Sequence, residues 1–351
     1  MIEDAVIGWD GALCSTRYDR ETDTFFVIAI HSRQRGPASG GTRAVHYGSY
    51  SEAVRDAMRL SGAMTLKMAA AGLPMGGGKS VIALPAPRHE ISDATWERIL
   101  AIHADNLVTL RGSYSTGPDV GTTSEDMDVL HAAGGQAFGR SEAAGGPGSS
   151  APCTAQGVYV AIRAAATEAG MGEIRGKRVA IQGLGAVGLD VLDFARKDGA
   201  EVVATDVNPK ALQRARELGA TIVEPDEILD VESDVFSPCA MGGVIDVPVA
   251  RTIRTRVIAG AANNVLATPA AGDVLSERGI VLAPDFIANS GGAIHLVGRE
   301  VLGWSAGEVA SHVDGIGITL AEVFARSRDA GVTTEQAARD LAVSRVSSAT
   351  A

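Results

Sequence analysis

Gly183-Leu-Gly-Ala-Val-Gly188 follows directly on the apolar run Val179-Ala-Ile-Gln182 and opens into a helical stretch from about Ala186 to Lys197. A second apolar run, Glu201 to Thr205, ends on Asp206, 23 residues after the first glycine. A GxGxxG pattern alone means little in a chain with 42 glycines. The order strand, glycine turn, helix, strand, acid is far more specific, because each part has a task in gripping a dinucleotide. Gly183 permits the tight turn, Gly185 lets a pyrophosphate approach the backbone, and Gly188 lets the helix pack close to the strand. The helix N-terminus offers N–H groups to the phosphates. The carboxylate of Asp206 suits an adenosine ribose and disfavours an extra phosphate there, and no Arg follows it, so NAD rather than NADP is expected. Leu184, Ala186, Val187, Val207 and Ala240 complete the expected cofactor contacts.

Working outward, short apolar strands recur at Asp234 to Phe236, Arg256 to Ala259 and Ile280 to Ala283, separated by helical or turn segments. That alternation predicts a parallel sheet wrapped by helices. Ahead of it, Gly145 to Pro152 (GGPGSSAP) reads as a hinge, followed by a helix from about Thr154. In the first half, Thr24 to His31 and Lys79 to Leu84 read as buried strands. Ala53, Ala57, Leu60, Met64 and Met68 mark a helix from Ser51, its expected N-cap, to about Ala71, and a second runs from Asp93 to about Leu110. Two helices follow Ala306. The expected division is residues 1–145, joined by a C-terminal helix over about 330–351, against a dinucleotide domain over 146–329.

The chain is long enough, at 351 residues, for two ordinary domains. Its net charge of −11 argues against nucleic acid, which demands clustered Lys and Arg. Cys14, Cys153 and Cys239 lie far apart without CxxC spacing, and no histidine pair has metal-ligand spacing, so neither a disulfide framework nor a metal site is expected. No apolar run reaches 18 residues. Glu3 and Asp4 stand where a signal peptide would carry positive charge, so a cytoplasmic protein is expected.

Gly76-Gly-Gly-Lys79-Ser80 invites a phosphate-loop reading that fails, since position 73 is Leu rather than Gly and the strand follows the lysine. A substrate site fits better. Lys67 lies on an apolar helix among Met64, Leu66 and Met68, where a solvated lysine is unusual. Lys79 follows three glycines that would admit a ligand close to the backbone, and Asp119 sits in the turn Thr116-Gly-Pro-Asp-Val120. Two lysines could hold a carboxylate and polarise a carbonyl, with repulsion and burial lowering one pKa toward neutrality.

At these residues the chain resembles the family of glutamate, leucine, phenylalanine and valine dehydrogenases. The matching stretches are Gly36-Pro-Ala-Ser-Gly-Gly-Thr-Arg43, Gly62-Ala-Met-Thr-Leu-Lys67, Gly76 to Ser80, Gly117-Pro-Asp-Val-Gly121, the GLGAVG turn, Ser237-Pro-Cys-Ala240, Gly260-Ala-Ala-Asn-Asn264 and Ala283-Pro-Asp-Phe-Ile-Ala-Asn-Ser-Gly-Gly292. The resemblance implies an α/β fold of two domains, one for substrate and oligomer contacts and one Rossmann-type for NAD, with a cleft between them that closes on substrate. It implies oxidative deamination of an L-amino acid to its 2-oxo acid and ammonia, the reverse amination, and a homo-oligomer. By the same analogy Lys67 binds the substrate carboxylate, Lys79 hydrogen-bonds the oxo-acid oxygen or attacking water, and Asp119 moves protons. Asn263 would bridge substrate and nicotinamide, and Gly41 would contribute backbone contacts. An iminium formed at Cα suits a carboxylate neighbour, and the carbinolamine that follows needs a lysine donor.

Met64, Ala63 and Leu66 offer nothing cationic, so the substrate side chain is expected to be apolar. Leucine-type relatives usually carry Leu at Ser39, Ala at Gly117 and Val at Ala293. The smaller residues here would widen the pocket, with Leu296 as another wall, and the surrounding text most resembles phenylalanine dehydrogenases. Phenylalanine is therefore the expected substrate, with a leucine/valine-type or broad enzyme as the alternative, and a catalytically silent NAD-binding regulator as the non-enzyme one. His295 reads as a packed or rim residue.

Overall fold

The computed structural model describes residues 8–348. Glu3 and Asp4, on which the reading of the N-terminus rests, lie outside them. The described residues divide into two compact units: 8–149, 296–303 and 342–348 form the first, and 150–295 with 304–341 the second. The division thus falls between Ser149 and Ser150 rather than after residue 145. The C-terminal helix expected with the first domain is shared, its residues to Leu341 packing with the second unit.

The first unit is built on a five-stranded mixed sheet of order β1-β2-β4-β3-β5. Its strands are β1 (Leu13–Asp19), β2 (Thr24–Ser32), β3 (Ala38–His46), β4 (Gly76–Leu84) and β5 (Tyr114–Pro118). β3 runs parallel to β4 and to β5, while β2 is antiparallel to β1 and β4. Helix α1 (Tyr50–Ala70) covers one face; α2 (Asp93–Thr109) and α3 (Ser124–Ala132) cover the other. Strand alternation sorts the side chains. Phe26, Ile28, Ile30, Ile82 and Leu84 pack with Trp96, Ile99, Leu100 and Leu107 of α2. Val27, Ala29, Val81 and Ala83 pack with Ala53, Val54, Ala57 and Met58 of α1.

The N-cap of α1 is Ser49, whose hydroxyl accepts from Glu52 N, rather than the expected Ser51, which lies inside the first turn. The helix ends on its C-cap Ala71, followed by Gly72 at φ +71 and, two residues on, Pro74.

The second unit opens with α4 (Ala151–Glu168), three residues earlier than expected because Pro152 suits a first helical turn. Its parallel sheet has the order β11-β10-β9-β6-β7-β8, from β6 (Arg178–Gln182), β7 (Glu201–Thr205), β8 (Thr221–Ile222), β9 (Val235–Pro238), β10 (Val257–Ile258) and β11 (Val281–Leu282). Helices α5 (Ala186–Lys197), α6 (Pro209–Glu217), α7 (Val247–Thr252) and α8 (Pro269–Glu277) lie between strands, making this a doubly wound Rossmann-like unit. Short helices α9 (Asp285–Ala288) and α10 (Gly291–Leu296) lead to α11 (Ala306–Ala330) and α12 (Thr334–Ser347). A capping box of Ser305 and Glu308 starts α11, and Gly331 at φ +66 ends it. Among the described residues no helix is long and apolar enough to cross a membrane.

Candidate active site

Lys79 and Asp119 meet in the first unit. Lys79 belongs to the same strand phase as Val81 and Ala83 and so points to the α1 side of the sheet, where its side chain is only 6% exposed. Its Nζ lies 2.8 Å from Asp119 Oδ2, in the turn that follows β5. Arg43, two residues beyond Gly41 on β3, donates from Nε to the same oxygen at 3.0 Å. Its Nη1 reaches Asp56 of α1 at 2.9 Å. Arg43 enters the sequence reading only as part of a family stretch; its partners lie 13 and 76 residues away, and no local signal reveals them.

The electrostatics follow from this geometry. Burial pushes the Lys79 ammonium down and outweighs the stabilising carboxylate of Asp119, while Arg43 pushes it further down. Of the two causes expected to lower one lysine, burial is the chief one at Lys79, and the repelling cation beside it is Arg43. Burial would raise the Asp119 carboxyl, but Lys79 and then Arg43 hold it below the ordinary carboxylate value.

The glycines beside Lys79 have a different role from the expected ligand approach. A side chain at Gly76 would overlap Ser32 O, and one at Gly77 would overlap Thr65 N of α1. At Gly78 it would lie 2.7 Å from the Tyr114 ring. These positions let strand, helix and ring close on one another. Gly41 admits the acid: a Cβ there would sit 2.8 Å from Asp119 Cβ.

The residues expected to wall the substrate fall in both units. Met64, half-buried on α1, lies against Gly40, and Lys67 occupies the last turn of that helix. Ser39 is fully buried in β3, its Oγ without a hydrogen-bond partner. The room expected from Gly117 is not there, because a Cβ would meet the Phe138 ring at 2.5 Å. The ring fills the volume that the small residue vacates. Leu296 falls in the first unit near Gly139. Ala293 lies on α10 in the second.

In the second unit the glycine turn has the features a dinucleotide needs. Gly183 has φ +95, and a Cβ there would lie 2.6 Å from Ala240 Cβ. A Cβ on Gly188 would overlap Gly183 O, so this glycine sets the helix–strand approach. Around Gly185 nothing lies within 4 Å, leaving open space at the N-cap of α5. That is a cradle a side chain would fill. Ala186 and Val187 begin α5. Asp206 accepts from Leu184 N at 2.6 Å and from Asn208 N at 2.7 Å, which fixes its carboxylate beside the turn. Each oxygen retains a lone pair for a ribose hydroxyl. Val207 beside it is 86% exposed. Asn263 Oδ1 accepts from the Asn289 amide at 2.8 Å, and Asn264 holds a left-handed φ of +53. Asn289 escaped the sequence reading of roles because only the fold reveals this pairing.

His295 contacts Cys153 (Nδ1 to Sγ 3.5 Å) at the start of α4. No group of His, Cys, Asp and Glu able to hold a metal occurs among the described residues.

Known proteins are similar to this chain over nearly its whole length. Residues 17–134 match the family profile described as Glu/Leu/Phe/Val dehydrogenase, dimerisation domain, and 145–208 with 206–351 match the profile for Glutamate/Leucine/Phenylalanine/Valine dehydrogenase. Leucine dehydrogenase of Bacillus cereus is 41% identical, over 94% of this chain and 89% of its own length. Valine dehydrogenase of Streptomyces coelicolor is 37% identical, over 94% and 91%. The crystal structure of L-tryptophan dehydrogenase from Nostoc punctiforme superposes with a TM-score of 0.84 at 32% identity, covering 99% of both chains. A hetero-hexameric glutamate dehydrogenase from Thermus thermophilus superposes at 0.77 with 25% identity, over 99% of this chain and 94% of that one. The chain belongs to the Glu/Leu/Phe/Val dehydrogenase family and is an amino-acid dehydrogenase.

Proposed function

We propose that the protein catalyses the NAD-dependent oxidative deamination of an apolar L-amino acid to its 2-oxo acid and ammonia, and the reverse amination. The observation that carries this reading is the buried contact of Lys79 Nζ with Asp119 Oδ2 at 2.8 Å. In it an amine with a lowered pKa and a carboxylate held ionised share one proton-transfer site. Lys67 binds the substrate carboxylate. Asp119 takes a proton from the substrate amine and later exchanges protons with water. Lys79 hydrogen-bonds the oxygen that becomes the carbonyl, stabilising charge as it develops. Gly183, Gly185, Gly188 and the α5 N-terminus would hold the pyrophosphate, and Asp206 the ribose, favouring NAD over NADP. A nicotinamide bound there would supply the hydride acceptor for Cα. Asn263, oriented by Asn289, would bridge substrate and nicotinamide. The protein works in the cytoplasm as a homo-oligomer.

For the side chain, relatives named for leucine and valine favour a branched aliphatic group. The phenylalanine preference read from the sequence gains nothing from them, and Phe138 occupies part of the room it required. A second reading, an aromatic substrate, draws on the similarity to L-tryptophan dehydrogenase. A screen of L-Leu, L-Val, L-Phe and L-Trp with NAD at alkaline pH, followed by NADH absorbance, separates them. Turnover of the L- but not the D-enantiomers is expected, with Leu or Val fastest. A flat trace for every apolar L-amino acid overturns the reaction itself.

A further inference from the structure

The residue whose position the proposed chemistry does not yet use is Arg43. Its guanidinium lies between two carboxylates, with Nε on Asp119 Oδ2 at 3.0 Å and Nη1 on Asp56 Oδ2 at 2.9 Å. Asp56 is itself fixed, accepting from Tyr47 OH at 2.8 Å and from Arg59 Nη2 at 2.7 Å. Side chains of Arg43 and Asp56 are 23% and 17% exposed, so the chain Tyr47–Asp56–Arg43–Asp119 is partly shielded from solvent. A planar guanidinium can bridge two carboxylates in fixed directions; a lysine's point charge cannot. We propose that Arg43, clamped between Asp56 and Asp119, is a positioning residue that fixes the Asp119 carboxylate and governs when it takes up a proton.

This rests on the reading of Asp119 as the proton-transfer group. The charged groups in contact with it are Lys79 from β4 and Arg43 from β3, while Tyr114 of β5 is buried on the opposite, α2 side of the sheet and feels the Asp119 charge without touching it. Asp56 and Arg59 stand behind Arg43 on α1, and Tyr47 in the loop before it. Arg43 favours the ionised Asp119 and disfavours the charged Lys79. Its cation therefore resists a proton at either member of the pair. Since the two titrate together, the acid limb of the rate profile belongs to the pair. Removing the cation lets a proton bind at higher pH.

The test is the pH profile of kcat for oxidative deamination, with one substrate for all variants so that its own ionisation cancels. Arg43→Gln should move the acid limb to higher pH by about one unit, the low end for an opposite charge in contact. Arg43→Lys should restore most of that limb position while kcat stays low, because charge returns without the fork. Asp56→Asn keeps the cation but loses its anchor, so the limb should stay or move to lower pH while kcat falls. An ion pair that merely ties α1 to the sheet would lower thermal stability in all three and leave the limb in place, which would overturn the proposal. So would a shift to higher pH in Asp56→Asn. If Arg43→Gln does not fold, the other two variants decide it. Near-normal turnover in Asp119→Asn would instead remove the reading of the site, whatever the profiles of Arg43.

Discussion

Burial and pairing pull the Lys79 ammonium in opposite directions, and burial wins. A lysine that loses its proton readily, held 2.8 Å from a carboxylate that does not readily gain one, is suited to donate to an oxygen during reaction and to recover afterwards. Lys79→Ala should therefore lower kcat by about 10²–10³, the usual loss for one charge-stabilising donor, with a smaller effect on KM. Steady-state kinetics at fixed pH measures this; a variant with near-normal kcat would take Lys79 out of the mechanism. The local sequence marked Lys79 and Asp119 as unusual, a lysine amid glycines and an acid in a Gly-Pro turn, but their expected roles came from the family resemblance, and what the fold adds is that their side chains meet. Arg43 was not so marked, because a charged strand residue has an ordinary surface meaning until its partners are known.

At the scale of elements, the three strands that carry the site residues are joined from behind by hydroxyl groups. Thr42 of β3 shares hydrogen bonds with Ser80 of β4 and Thr116 of β5, both at 2.6 Å, and with His103 Nε2 of α2 at 3.1 Å. These are the neighbours in sequence of Gly41, Arg43, Lys79 and Gly117, turned to the opposite face. His103 is fully buried, stacks on Phe26, and burial lowers its pKa to about 3. The unfolded imidazole protonates near 6.5, so the folded state binds fewer protons between the two values. Stability contributed by the neutral ring is complete above pH 6.5 and is lost as pH falls toward 3, by about 1.4 kcal/mol per unit within that window. Denaturant midpoints at pH 7 and pH 5 should differ more for the wild type than for His103→Leu; equal differences would show that another group controls the acid side. The sequence pointed to β2, β4, α1 and α2, whose apolar periodicity is strong. It was silent on β1, a polar edge strand, and on β3, where Gly40 and Gly41 dilute any strand signal.

For the whole chain, regular alternation of strand and helix made the second unit readable, while its boundaries were less so. Residues 296–303 and 342–348 join the first unit through packing that periodicity does not encode. The unit's sheet presents the glycine turn after β6 and Asp206 after β7, at the carboxyl ends of neighbouring parallel strands, where doubly wound sheets bind ligands. The open space at Gly185 and the carboxylate pinned by Leu184 N give NAD binding a consequence separable from catalysis. A ligand that binds only the folded state raises stability by RT ln(1 + [L]/Kd), about 2.7 kcal/mol at a hundredfold excess over Kd. NAD should thus raise the Tm of the protein without any amino acid present, and NADP at the same concentration should raise it less. Gly185→Val should abolish the NAD shift, since its side chain fills the space a pyrophosphate needs. Asp206→Ala should shrink the NAD shift and narrow the gap to NADP. An equal response to the two dinucleotides in the wild type would show that the ribose end is read by something other than Asp206. An undiminished NAD shift in Gly185→Val would place the pyrophosphate away from this turn.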